Sequence, residues 1–349
     1  MKKNLLLLVV LCTMNSNMFA DGLTATLQQG NEMTPFYGDL GFLNAYNAAD
    51  SGAVIILSPG RFYFSDTIKK TITIIGAGAF SKKSTERTSF ADMNIKANNV
   101  KIEGVAFGDE KEAFVKLIGT SNCSFKRCWI KGTLKREGKH INTIVDQCII
   151  AKDEAYDWGV DYSVRNTVIG NFVSANPKHI SNAFFTNCIM IDCTIHSSAG
   201  STYLYEPPRG IYKNNILCIK FSSNNNNYQA YFLNDSEFYD NLILSNYDNT
   251  SSINFASNCI NMNNTIGYFN DYFVTTLSYY SSDYSNLLEL TNRGQTTKMK
   301  KNVSTNVGVT SGVGFSEYPS IPRVTSKEID PYTDENGRIK VRITVKVEP

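Results

Sequence analysis

The sequence predicts an all-β solenoid, a chain of short strands stacked coil on coil around one continuous core. Three observations predict it. Between residues 100 and 267 one short pattern recurs about eight times. The pivot of each copy is mostly Gly, Asn or Asp, the residues that tolerate the left-handed backbone of a sharp corner. The arms on either side of the pivot carry apolar residues with period two, the mark of a strand with one buried face. Repeats of this length mean stacked supersecondary units, because no single coil can bury its inner face alone.

The first copy reads Val100-Lys101-Ile102-Glu103-Gly104-Val105-Ala106-Phe107, with Gly104 as its pivot. The frame recurs at Arg127, Gln147, Asn166, Asn187, Asn214, Asp240 and Asn264. Phe125, Val145, Val164, Phe185, Tyr212, Phe238 and Met262 supply the apolar residue ahead of the corner. Cys128, Cys148, Thr167, Cys188, Asn215, Asn241 and Thr265 follow the pivots, so one column of small side chains is expected inside the stack. A β-sandwich would need tight hairpin dipeptides between most strands, and the stretch lacks them.

A strand, a corner, a strand and a variable loop, repeated every two dozen residues or so, resembles the right-handed parallel β-helix of the pectate-lyase-like superfamily. The resemblance covers about half the chain through the repeats. It is strengthened by a helix at 39–50 followed by "VIILSPGRFYF" at 54–64 and "TITIIGAGAF" at 71–80. It implies that the helix covers the open end of the solenoid, where unpaired strand edges need protection. Gly76-Ala77-Gly78 is better explained by steric relief at a corner than by dinucleotide binding, because Ser81 stands where the last glycine of that fingerprint belongs.

Residues 1–20 read as a secretory signal peptide: Lys2 and Lys3, an apolar core too short to span a bilayer, and Ala20 before the expected cut. The protein is therefore expected to be exported, to the periplasm, the cell surface or the medium. Residues 21–317 form the β-helix with its N-terminal cap. Residues 318–349 form a tail in which Ile339, Val341, Ile343, Val345 and Val347 alternate as a strand. Residues 81–92 read as a polar loop. Without Cys12 the chain has seven cysteines, an odd number with no CxxC pair, so zinc is not expected and buried free thiols are.

A net charge of +2 gives no bulk signal for nucleic acid. Aromatics make up 12% of the chain and the repeats are rich in Asn, a surface suited to sugars, whose ring faces stack on aromatics and whose hydroxyls bond to amides. The resemblance implies two kinds of chemistry: proton abstraction beside a uronic carboxylate, with calcium and a Lys or Arg base, or glycoside hydrolysis by clustered Asp. No Asp-Asp pair exists. The densest acidic group is Asp153, Glu154, Asp157 and Asp161, with Tyr156 and Trp158 beside it, and it reads as a solvated loop.

The basic group Lys126, Arg127, Lys131, Lys135, Arg136 and Lys139 reads as a solvated face with its charges on different sides of the coil. His140, His179 and His196 lack a metal-ligand spacing. The longest insertion, at 197–209, places Tyr203, Tyr205, Glu206 and Arg209 beside Pro207-Pro208 and near His196. The function expected first is binding of a polysaccharide or cell-surface glycan along a groove, with Trp158, Tyr203, Tyr205, Asp157 and Asp161 as the contacting residues. The alternatives are a polysaccharide lyase or hydrolase, with His196, Glu206 and Arg209 as its candidate catalytic groups, and a structural or adhesive surface protein. No cofactor is expected; calcium is the one ion left open.

Overall fold

A computed structural model of the chain describes residues 22–81, 83–108, 113–155, 159–174, 180–192, 209–219, 230–232, 236–245, 253–255, 257, 259–268, 307–309, 315–316, 319, 323–333 and 339–346. It is an all-β parallel β-helix. Among the described residues the first long sheet has 12 strands. From Val54–Leu57 onward its strands run parallel, through Thr73–Ile75, Lys101–Glu103, Ser124–Lys126 and His140–Asp146 to Ile260–Met262. The second sheet has 13 strands among the described residues, includes Trp129–Glu137, Ile149–Ala155 and Leu242–Ser245, and closes the other side of the coil.

The pattern of the sequence sets the register. Ile102, Phe125, Val145, Val164, Phe185, Tyr212 and Phe238 pair one to the next and line the lumen. Coils about 4.8 Å apart bring equivalent rings into stacking distance: the Tyr212 and Phe238 centroids are 4.7 Å apart with planes 11° apart. The pivots take up the left-handed conformation at Gly104, Arg127, Gln147, Asn166, Asn187, Asn214 and Asp240. In the last described coil the pivot is Asn263, not Asn264. Met262 therefore pairs with Tyr239 on the outer face and is half exposed, because a slip of one residue sends a side chain to the opposite face.

The column after the pivots solves a hydrogen-bonding problem. At each corner a side chain of one coil bonds backbone groups of the coil before it. Cys148 Sγ accepts from Cys128 N–H, and its S–H donates to Phe125 O. Asn215 Oδ1 accepts from Cys188 N–H while Nδ2 donates to Phe185 O. Asn241 and Asn264 repeat the arrangement on the next two coils. Such a position needs one side chain that both donates and accepts, which Cys, Thr and Asn supply and an apolar residue does not. The last member is thus Asn264 rather than Thr265. Among the described residues Cys123, Cys128, Cys148, Cys188, Cys218 and Cys259 are free thiols; Cys193 lies outside them.

Burial pushes the Cys188 thiol up to about 12 and raises that of Cys148 well above its usual value. Since the thiolate is the nucleophile, these thiols are expected to resist alkylation at pH 8 in the folded protein. Several are expected to react once it is denatured without reductant. A single reactive thiol after denaturation would mean disulfides and contradict the column.

The N-terminal end is closed by more than the expected helix. Gly41–Ala48 buries Phe42, Ala45 and Tyr46 against the first coils. The hairpin Thr24–Gln29 and Glu32–Tyr37 adds two antiparallel strands to the sheet edge, and Pro35 on the outermost strand withholds a ladder donor. Residues 81–92 are not simply a loop, since they contain the buried strand Thr88–Phe90, paired with Val105–Phe107. Gly76 is a corner glycine as expected: a Cβ there would lie 2.3 Å from Gly104 O.

The outer face of the second sheet is also apolar. Ala106, Trp129, Ile149, Val168, Ile189, Ile216 and Leu242 form a second buried cluster with Val307 and Val309, and Phe315 packs against it. Val307, Val309, Phe315 and Pro319 therefore lie along the outside of the solenoid. Gly308 N–H donates to Asn214 O, Asn166 Nδ2 donates to Val309 O, and Pro319 lies against Gly104. At the far end of the sequence Arg323–Thr333 and Ile339–Lys346 pair as an antiparallel hairpin of their own. Among the described residues no helix is long and apolar enough to cross a membrane.

Candidate functional site

A second line of corners runs along the solenoid on the opposite edge of the first sheet. Asn99, Asn122, Asn142, Asp161 and Asn182 all have φ between 52° and 57°. Each is solvent-exposed. Asn and Asp suit these corners because their short polar side chains tolerate left-handed backbone. Their amides form a ladder: Asn122 Nδ2 donates to Asn99 Oδ1 at 3.1 Å, Asn142 Nδ2 to Asn122 Oδ1 at 2.9 Å, and Asn182 Nδ2 to Asp161 Oδ1 at 3.3 Å. No bond joins Asn142 to Asp161, since a carboxylate accepts but does not donate.

Register extends this line by one coil. Ala183 pairs with Gly210, so Arg209 occupies the position that follows Asn182. Its carbonyl accepts the Ala183 N–H at 3.0 Å and its side chain is exposed. Asp161 and Arg209 thus lie in one line with Asn182 between them. Two coil steps separate them, about 10 Å.

Beside the line is a ring that sequence reasoning did not single out. Phe184 is 42% exposed on the outer face of the first sheet, two residues after Asn182. Its neighbours on that face are Ser163 on the coil before and Ile211 on the coil after. Period-two alternation from the buried Phe185 was enough to place it outward. Farther across the face Glu103, Lys126, Asp146 and Arg165 follow one another in register, and Arg165 pairs with Asp146 at 3.2 Å.

Asp157, Trp158, Tyr156, His179, His196, Tyr203, Tyr205 and Glu206 lie outside the described residues, as do 1–20. Asp153 and Glu154 belong to the strand Ile149–Ala155, not to a solvated loop, and Asp153 is fully buried. The basic group scatters over the coil. Lys126 faces out from the first sheet, Lys131 Nζ sits 4.5 Å from the Trp129 ring centroid, and Lys135 pairs with Glu137 at 2.8 Å. Arg127 and Arg136 are buried rather than solvated; Arg127 Nε donates to Gln147 Oε1 at 2.7 Å. His140 is buried too, with Nδ1 3.0 Å from Gly138 O. A buried charged or polar group persists only where partners hold it.

An exposed line of amides with a carboxylate and a guanidinium, flanked by a ring, offers donors, acceptors and a stacking face at one-coil intervals. Among the described residues no group of three or more His, Cys, Asp and Glu stands close enough to hold a metal ion. No protein-family model, curated protein or solved structure matches the chain.

Proposed function

We propose that the protein binds a linear glycan along this line of corners. The observation that carries the proposal is that Asp161, Asn182 and Arg209 share one exposed line with Phe184 beside it. Coil spacing and sugar spacing are both on the order of 5 Å, so successive sugars meet equivalent positions on successive coils. Phe184 offers an apolar face for a sugar ring, the Asn amides bond hydroxyls, and Arg209 suits a glycan that carries carboxylates. Trp158, three residues before Asp161, and Tyr203 and Tyr205, shortly before Arg209, extend the same site in this reading. Export through the leader at residues 1–20, and a place in the pectate-lyase-like superfamily, belong to the same proposal.

A polysaccharide panel tests it. Binding to at least one polymer is expected, with at least tenfold weaker affinity in Phe184→Ala/Asp161→Ala and in Trp158→Ala/Tyr203→Ala/Tyr205→Ala. Phe184→Ala/Asp161→Ala should keep the wild-type denaturation midpoint within error, since exposed side chains carry little of the core. Unchanged affinity in both would defeat the proposal. Ultraviolet absorbance of unsaturated products, lost in Arg209→Ala or Glu206→Gln at unchanged affinity, would establish the lyase alternative instead.

A further inference from the structure

Behind the wall that carries Asp161, the lumen is not apolar. Two of its columns change character at one place. Ile95 and Leu117 precede Arg136 in register, and Val115 and Leu134 precede Asp153. Arg136 and Asp153 thus stand where earlier coils have aliphatic residues, and both side chains are 0% exposed. Arg136 Nη2 donates to Asp153 Oδ1 at 2.8 Å, and Tyr162 OH, reaching across from the first sheet, donates to Asp153 Oδ2 at 2.6 Å. The guanidinium carbon lies 3.8 Å from the Tyr162 ring centroid. Both carboxylate oxygens are therefore engaged.

The guanidinium is not. Arg136 Nε and Nη1 have no hydrogen-bond partner among the described residues, and neither has the buried hydroxyl of Thr143. Thr143 pairs with Tyr162 on the coil behind it, so it belongs to the coil of Arg136, on the facing wall. A buried N–H without a partner is rare, and a polar interior site that lacks protein partners is where ordered water is found.

We propose that the lumen at this coil is an internal hydration site, in which ordered water accepts from Arg136 Nε and Nη1 and bonds Thr143 Oγ1. The chemistry selects the occupant. Guanidinium nitrogens only donate, which excludes a cation. The Arg136–Asp153 pair is neutral as a unit, so an anion would add an uncompensated charge to a low-dielectric interior. Water accepts from the guanidinium and in turn donates to the hydroxyl, bringing no charge.

Crystals of the protein grown in chloride and soaked in bromide test this. Expected is density about 2.7–3.2 Å from Nε and Nη1, continuous with Thr143 Oγ1 and without a bromine anomalous signal. Thr143→Val, which removes the hydroxyl but keeps the shape, should lose or shift that density while retaining the Arg136–Asp153 bond. An anomalous peak at the guanidinium would replace water with an anion and overturn the proposal. So would a dry guanidinium edge, or one covered by another segment of the chain. None of these results depends on glycan binding.

Discussion

Replacing Arg136 by methionine is expected to destabilise the solenoid by about 3–5 kcal/mol, the range for breaking a buried ion pair from one side. The cost arises from Asp153, left 0% exposed with its carboxylate bonded only by Tyr162. Burial already pushes that carboxyl above its usual range, against the opposing pull of Arg136 and Tyr162. Without the guanidinium no opposite charge among the described residues offsets the desolvation. Replacing all three polar residues, as Arg136→Met/Asp153→Leu/Tyr162→Phe, is expected to recover most of the loss, because an apolar substitute for a whole buried pair is often neutral or better. Chemical-denaturation midpoints of the two variants check this. Equal destabilisation in both would mean that shape, rather than charge, governs the site.

The second large effect is expected at Asn241. Its side chain accepts from Asn215 N–H and donates to Tyr212 O and to Asn264 Oδ1. Asn241→Ala orphans two buried backbone groups, at about 1–3 kcal/mol each, so a loss of about 2–6 kcal/mol is expected. Asn241→Thr should lose clearly less. Thr167 occupies the equivalent place and accepts the Cys148 N–H at 3.1 Å. The comparison separates hydrogen bonding from size, because alanine and threonine both leave room and only threonine can bond. If the two variants lose equal stability, the column is a matter of packing alone.

The same column shows how far the sequence could be read. The corner residues were legible because left-handed backbone restricts the choice at each turn, and only the last coil slipped. There Asn263 and Asn264 are equally good corner formers, and the apolar Met262 drew the frame one residue forward. The purpose of the column was less legible. Cys128, Cys148 and Cys188 look like small apolar fillers until the broken ladder at the corner is seen, and Asn in the same place is then the clue.

Arg136 and Asp153 read as surface because charges belong there by default. Alternation from the buried Leu134 already placed 136 inward, but the partner sits on the next coil, and a partner 17 residues away has no local signature. The cover of Val307, Val309 and Phe315 on the outer face left a visible trace of a different kind. Runs such as Ile189-Met190-Ile191 and Leu242-Ile243-Leu244 are apolar without alternation, which means that both faces are covered. Of the candidate site, Asn182 and Phe184 were not singled out, whereas Asp161 and Arg209 were. Their shared line depends on coil register across an insertion whose length the sequence does not translate into position.

Oligosaccharide length tests the central claim, that a glycan lies along the solenoid with about one sugar per coil. For fragments of the polymer that binds best, affinity should climb steeply from the monosaccharide to roughly four or five sugars and then level off, since the line from Asn122 to Arg209 spans about 20 Å at the coil spacing. The climb should flatten in Phe184→Ala/Asp161→Ala. A monosaccharide that binds as tightly as a pentasaccharide, or a length dependence untouched by those two substitutions, would contradict the account.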